Sequence, residues 1–244
     1  MIKLVPETGS TNADLLAALR AGERVGEGDW LVADRQTAGR GRQGREWFDG
    51  AGNFMGSTVM RLAIGDPPPA SIALAAGLAV YEAVLPLLTD PAPLRLKWPN
   101  DATYAGAKLA GILLERERDA LVVGIGVNLA RAPVIKGRAT VALAAIAPAP
   151  DRDLFAAALA ASFATELERW RSYGLGPLVR RWQAAAHPPG TPLTVAPPGE
   201  ETVTGAFDGL TENGALRLRL ADGSSRVMHA GDVFFAHEPK HEKG

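Results

Sequence analysis

The sequence predicts an α+β fold: a mixed sheet backed by helices, followed by a small β-barrel. Three observations carry this. An alanine- and leucine-rich segment at 71–88 reads as a long, mostly buried helix. Two runs rich in leucine and β-branched residues, 108–115 and 120–127, read as central strands joined through the charged turn 116–119. Beyond Pro192, short alternating segments are separated by Pro197-Pro198-Gly199, Asn213-Gly214 and Asp222-Gly223, which reads as a compact β unit of about fifty residues.

Taken in order, residues 2–5 form a short strand. Ser10 or Thr11 then caps a helix over 13–20, with Leu15, Leu16 and Leu19 on one face and Gly22 as its stop. Residues 30–33 form a second strand and 54–60 a third, after Gly52-Asn53. Pro67-Pro68-Pro69 breaks the chain before the long helix. A strand at 94–97, a turn at Pro99-Asn100-Asp101 and a short run at 102–104 precede the two central strands. After the break at 148–150, Asp151 or Asp153 opens a helix with Phe155, Leu159, Phe163, Leu167 and Trp170 on one side; 175–186 is another. His187-Pro188-Pro189-Gly190 reads as a linker. Tail strands fall at 192–196, 201–208, 215–220 and 225–228. The expected division is a larger unit at 1–187, the β unit at 188–237 and a frayed charged tail at 238–244.

Composition narrows the function. The 244 residues are 47% apolar and 22% charged, an ordinary globular balance. A net charge of −1 argues against a partner that is duplex nucleic acid or an anionic membrane. The absence of cysteine excludes thiol catalysis, disulfides and thiolate metal sites, and with only four histidines no protein-borne metal site is expected. The N-terminus has no long apolar signal core, and the run 72–80 is short and interrupted by a glycine, so a soluble cytoplasmic protein is expected.

The positive charge is concentrated in Gly39-Arg40-Gly41-Arg42-Gln43-Gly44-Arg45, preceded by Gln36-Thr37 and followed by Trp47. Such a stretch cannot bury itself. Its glycines let backbone N–H groups approach a ligand, and its guanidinium forks match carboxylate and phosphate oxygens. It reads as a loop that closes over a small anion, or else as a solvated linker. Ser10-Thr11-Asn12 is either a helix cap or a polar recognition patch. Lys97-Trp98-Pro99-Asn100-Asp101, with Lys108 and Gly111 beyond, brings an amide, a carboxylate and two ammonium groups together if the hairpin closes. Gly124-Ile125-Gly126-Val127-Asn128 places two glycines in a buried strand, where a flat group or another backbone packs close. It fails as a dinucleotide fingerprint, lacking the third glycine and the acidic residue downstream. Four of the five tryptophans are expected in the core; Trp47, in the polar loop, is placed to stack on a base. No nucleophile–base pair is evident. Activation of a carboxylic acid by a nucleotide suits these groups, because it depends on positioning, on cations facing phosphate and on exclusion of water.

Taken as an ordered set, these motifs resemble the biotin–protein ligase family. The matching pieces are Ser10-Thr11-Asn12, the stretch from Gln36 to Trp47, Lys97-Trp98-Pro99-Asn100-Asp101, Lys108-x-x-Gly111-Ile112-Leu113 and Gly124-Ile125-Gly126-Val127-Asn128. The resemblance implies a catalytic domain like that of class II aminoacyl-tRNA synthetases and an SH3-like C-terminal barrel. It implies that biotin and ATP give biotinyl-5′-AMP, whose biotinyl group passes to a lysine of biotin carboxyl carrier protein, with Mg²⁺ bound mainly through phosphates. On this resemblance, Ser10, Thr11 and Gln36 hold the ureido ring, with Asn12 beside them, and the backbone of Gly39, Arg40, Gly41 and Arg42 completes the pocket. Arg42 and Arg45 face carboxylate and phosphates, and Lys108 contacts the carboxylate and the bridging phosphate. Trp47 packs near adenine, Asn100 and Asn128 help hold the nucleotide, and Asp101 sits where the acceptor lysine enters. Gly111 and Gly126 let ligand atoms lie against the sheet. Lys108, Arg42 and Asp101 are the expected catalytic set. Relatives often pair as homodimers.

Two features depart from the family pattern. Phe48-Asp49-Gly50 stands where many relatives carry Ser-Pro, which affects the local loop path. Only nine residues precede Ser10, so the operator-binding winged helix of many bacterial relatives is expected to be absent. The competing readings are a lipoate–protein ligase, disfavoured by the polar Ser10/Gln36 pocket, and an RNA- or single-strand-binding module using the arginine loop.

Overall fold

The structure is a computed structural model that describes residues 1–235; the expected tail at 238–244 lies outside them. Seven strands form one sheet: β1 (Ile2–Thr8), β2 (Trp30–Gln36), β3 (Phe54–Arg61), β4 (Leu94–Lys97), β5 (Asp101–Tyr104), β6 (Ala107–Glu117) and β7 (Ala120–Val127). Their order is β1-β2-β3-β7-β6-β5-β4. Only β1 and β2 pair in parallel, because helix α1 (Thr11–Arg20) carries the chain back across the sheet between them. The remaining neighbours are antiparallel, so the sheet is mixed, as expected. β7 is central, and all but one of its residues are buried because the sheet is covered on both faces.

Ser10 is the N-cap of α1, its hydroxyl accepting from Ala13 N. Leu15, Leu16 and Leu19 then pack on Leu31, Val59 and Val122, forming a small core on one face of the sheet. The other face carries α2 (Ile72–Val84), α3 (Arg152–Tyr173) and α4 (Leu175–Ala185). α2 is apolar over most of its surface, Glu82 being its one charged residue, and sits in the middle of the protein, against α3, α4 and the sheet. It is shorter than the expected 71–88, because the backbone tightens to a 3-10 turn over Leu85–Leu87, which contains Pro86. The segment Pro69–Leu87 is in fact long and apolar enough, by length and composition, to cross a membrane, which the shorter run read from the sequence did not reveal. Here 61% of its most apolar window is buried inside the protein's own core. Edge-on aromatic contacts of Trp30 with Phe163 and of Phe54 with Phe155, at 5.8 and 5.7 Å between ring centres, fasten α3 to the sheet. Asp151 caps α3, accepting from the amides of Asp153 and Leu154.

The tail forms a five-stranded antiparallel sheet from β8 (Pro192–Ala196), β9 (Val203–Leu210), β10 (Leu216–Arg219), β11 (Ser225–Met228) and β12 (Asp232–Phe235), in the order β11-β10-β9-β8-β12. β12 is a strand the sequence reading did not include. Its register with β8 pairs Asp232 with Ala196 and brings Asp232 to the face that meets the larger unit. The two units share one continuous apolar core. Trp98 Nε1 donates to Gly214 O at 3.1 Å, and Leu210 N donates to Gln183 Oε1 at 2.6 Å.

Candidate active site

A cavity of about 1420 Å³ opens between the Gly/Arg loop, the β5–β6 hairpin and the C-terminal sheet. The residues that the resemblance assigns to the site line it: Ser10, Thr11, Asn12, Gln36, Gly39, Arg40, Gly41, Arg42, Arg45, Trp47, Asn100, Asp101, Lys108, Gly111, Gly126 and Asn128. Lys97, the second ammonium group expected there, is not among the lining residues; its Nζ lies over the Phe235 ring, 4.6 Å from the centre. The antiparallel register explains much of this, since Asp101 pairs with Gly111 and Gly111 with Gly126, setting three motifs side by side.

One end of the cavity is a buried polar patch. Gln36 closes β2, and its Oε1 accepts from Thr11 N at 2.8 Å and Thr11 Oγ1 at 3.1 Å. Its Nε2 lies beside Gly39, where a Cβ would come within 3.2 Å of it. Thr11 Oγ1 also meets Ser57 Oγ at 2.7 Å, and Ser57 donates to Asn12 Oδ1 at 2.5 Å. Asn12 Nδ2 in turn donates to Glu115 Oε2 at 2.8 Å. Gly124 serves this chain of bonds, because a Cβ there would run into the Asn12 amide. Ser57 and Glu115 were missed from the sequence. Both sit in ordinary strand alternation, and nothing local distinguishes them from other polar strand residues.

The Gly/Arg stretch is folded rather than a free linker. Gly41 N donates to Arg45 O at 2.6 Å and Trp47 N to Gly39 O at 2.9 Å, closing a small hairpin around a 3-10 turn at Arg42–Gly44. Its base is held by the segment that departs from the family pattern: Asp49 accepts from Gln36 N at 3.0 Å and pairs with Arg35. Arg40 is exposed at the rim, its backbone paired with that of Glu46 in an isolated antiparallel bridge. Arg42 reaches inward, donating to Asn100 Oδ1 at 3.0 Å and to Gly231 O at 3.3 Å. Burial lowers its pKa, opposed by Asp232 and Asp101, and it remains a cation. Arg45 pairs with Asp232 at 2.7 Å. The C-terminal sheet therefore completes one wall of the site, a role no tail motif announced.

Trp47 is the one tryptophan outside the core; Trp30, Trp98, Trp170 and Trp182 are all buried, as expected. Its indole packs on the two sheet glycines. A Cβ on Gly111 would come within 2.9 Å of the ring, and one on Gly126 within 2.2 Å of it. In this structure a side chain of the protein occupies the space over these glycines. Lys108 Nζ lies 5.2 Å from the ring centre, while the indole Nε1 is buried without a hydrogen-bond partner.

Beside the indole is a cluster of charge. Asp101, 7% exposed, lies 2.7 Å from Lys108 Nζ through Oδ1 and is paired with Arg138 through Oδ2. The Lys108 contact has the distance of an ion pair without hydrogen-bond alignment. Burial alone would raise the Asp101 pKa, but Lys108, Arg138 and Lys97 outweigh it and hold the carboxyl below its usual range. Burial lowers the Lys108 pKa, against the pull of Asp101. One carboxylate among Lys108, Arg138 and Lys97 leaves this cluster with an excess of positive charge. Arg138 was missed because it lies in a stretch without periodicity. Asn100 and Asn128 are engaged within the protein. Asn100 Nδ2 donates to Ile112 O at 2.7 Å while Oδ1 holds Arg42, and Asn128 Nδ2 donates to Val141 O at 3.2 Å. Among the described residues no group of three or more His, Asp or Glu could hold a metal ion.

Comparison with known proteins agrees with this geometry. Residues 9–130 match the biotin/lipoate A/B protein ligase family, and residues 194–236 match the biotin protein ligase C-terminal domain. The chain is 38% identical over 243 residues to a biotin–[acetyl-CoA-carboxylase] ligase of Paracoccus denitrificans, covering 95% of this chain and 99% of that one. It is 38% identical over 236 residues to the Mycobacterium tuberculosis protein of the same description, covering 95% and 88%. The biotin protein ligase of Aquifex aeolicus, solved with biotin and ATP, superposes with a TM-score of 0.84 at 25% identity, over 96% of this chain and 99% of that one. A buried polar patch, an arginine loop and a cationic cluster share one cavity, and family matches cover both units: the chain belongs to the biotin protein ligases of the biotin/lipoate A/B protein ligase family.

Proposed function

We propose that this chain is an ATP-dependent biotin ligase that activates biotin as biotinyl-5′-AMP and transfers it to a lysine of the biotin carrier of acetyl-CoA carboxylase. The observation that carries the reading is the single cavity in which Gln36 and Thr11 stand at one end and Lys108, Arg42 and Arg45 at the other. A ureido ring presents a carbonyl and two N–H groups, which an amide and a hydroxyl can match. The ring's side chain ends in a carboxylate, which the cationic end attracts.

In the first step a biotin carboxylate oxygen attacks the α-phosphorus of ATP, the new P–O bond forms and pyrophosphate leaves. Lys108 and Arg42 stabilise the charge developing on the phosphate oxygens. In the second step the acceptor lysine amine attacks the acyl carbon and AMP leaves. Trp47 and the folded loop exclude water from the mixed anhydride. The cavity carboxylates Asp101 and Asp232 are paired with cations, and among the described residues no acidic or histidine cluster could hold a metal ion; a Mg²⁺ would therefore come with the nucleotide and would neutralise part of the phosphate charge. A cytoplasmic location follows from the need for ATP and an intracellular carboxylase.

The deciding experiment is exchange of labelled pyrophosphate into ATP with biotin or lipoate as the acid, followed by mass analysis of a carrier domain. Biotin-dependent exchange and a single biotinyl addition are expected. Exchange with lipoate alone would overturn the reading.

A further inference from the structure

Arg138 takes no part in the chemistry above, yet it is one of two cations placed directly on the buried carboxylate. It comes from the irregular segment after β7. The turn there is closed by Arg138 N donating to Ile135 O at 3.2 Å, with Gly137 at φ +75°, and it leaves Val134 and Ile135 facing outward. The next residues return to β6 at Lys108 itself: Lys108 N donates to Ala139 O at 2.8 Å, and Val141 N donates to Lys108 O at 3.0 Å. Asn128 Nδ2, bound to Val141 O at 3.2 Å, and the bond from Thr140 Oγ1 to Pro133 O hold the same stretch.

The contacts form a closed ring. The Lys108 backbone holds the segment, the segment delivers Arg138, Arg138 holds one oxygen of Asp101, and the other oxygen of Asp101 faces the Lys108 ammonium. We infer that Arg138 is a positioning residue for the activation step, fixing Asp101 from one side so that Lys108 presents its ammonium to the reacting acid and phosphate. The inference rests on the ligase reading. A carboxylate held between two cations cannot pivot. Freed of Arg138, it can turn both oxygens to Lys108 and draw that ammonium away from the ligand. The other charges facing Asp101 are Lys97 from β4 and, from the loop, Arg42; they persist when Arg138 is removed, so the effect is graded.

The test compares wild type, Arg138→Gln and Arg138→Lys in biotin-dependent pyrophosphate exchange from pH 4.5 to 8. For Arg138→Gln, kcat is expected to fall about tenfold or more, with KM for ATP changing less than about threefold. The acid limb of the profile should move to higher pH, because Asp101 loses one of the cations that keep it ionised. Arg138→Lys should recover part of both effects. A wild-type kcat in Arg138→Gln would overturn the inference. So would an equal loss in both variants with the acid limb unmoved, which is what a purely structural anchor gives. If Arg138→Gln does not fold, Arg138→Met, which also removes the charge, takes its place, and its kcat and acid limb decide in the same way. Absence of exchange in the wild type would overturn the ligase reading and this inference together, whereas a wild-type-like Arg138→Gln overturns only the latter.

Discussion

Trp47 packs its indole directly on the backbone of Gly126, so closely that a Cβ there would come within 2.2 Å of the ring. A tryptophan from a polar, arginine-rich loop is thus seated on the central strand of the sheet. It stays partly exposed at its edge and leaves its Nε1 buried and unpartnered. An unpaired buried donor costs about 1–3 kcal/mol, so the contact is poised to yield when a ligand offers an acceptor or takes the indole's place.

Gly126→Ala follows from this contact. The added methyl group meets the end of a side chain on a loop, so the loop gives way before the sheet does. The protein should remain folded, with Trp47 displaced and cleavage within residues 40–46 accelerated. Biotin affinity should fall at least about tenfold, since the methyl group narrows the cavity. Tryptophan emission, limited proteolysis and calorimetric titration check this. Wild-type affinity and an unchanged spectrum would contradict the seating of the indole.

Arg42 joins three parts of the molecule: its own loop, Asn100 in the turn between β4 and β5, and Gly231 just before β12. Arg42→Gly removes a cation and loosens the loop together. Dissociation of biotinyl-AMP should accelerate by roughly 10–100-fold, the equivalent of one or two charge-assisted hydrogen bonds. Stopped-flow chase of labelled adenylate measures it, and an unchanged rate would count against the loop as a lid.

On the proposed reaction, Lys108 stabilises the charge that develops on the phosphate. Lys108→Ala should slow adenylate formation by about 100-fold or more while changing transfer from pre-made adenylate by less than about threefold. Single-turnover assays of the two half-reactions separate these. Equal slowing of both would remove Lys108 from the activation step.

His187 sits where the two units meet, against Phe235 at 4.7 Å between ring centres and within 3.2 Å of Thr103 Oγ1. Burial, helped by Lys97 and Arg95, pushes its pKa down to about 4. The unfolded chain takes up this proton near pH 6.5, so the stability tied to neutral His187 is complete above that pH and is lost as pH falls toward about 4. Between pH 6.5 and 5 the loss should be about 1–1.5 kcal/mol, and His187→Gln should show a flatter dependence. Urea melts across this window test it; parallel pH dependences would mean that His187 is hydrated in the folded state.

Much of this protein is determined by short-range sequence. The Ser10 cap and the leucine face of α1, the alternation of the tail strands and the aromatic face of α3 are local patterns with local causes, and they appear where periodicity puts them. The site motifs are legible for a related reason: each is a tight cluster of groups that would be costly to bury without a purpose. What only the tertiary structure decided are the relations between clusters. Register brought Gly111 and Gly126 side by side, and loop folding laid Trp47 across them. The pairing of β12 with β8 delivered Asp232 to Arg45, and an aperiodic segment delivered Arg138 to Asp101. Composition and spacing say what a side chain can bind. Which distant partner it meets along the chain is settled by strand pairing and core packing, whose energies are sums over the whole chain.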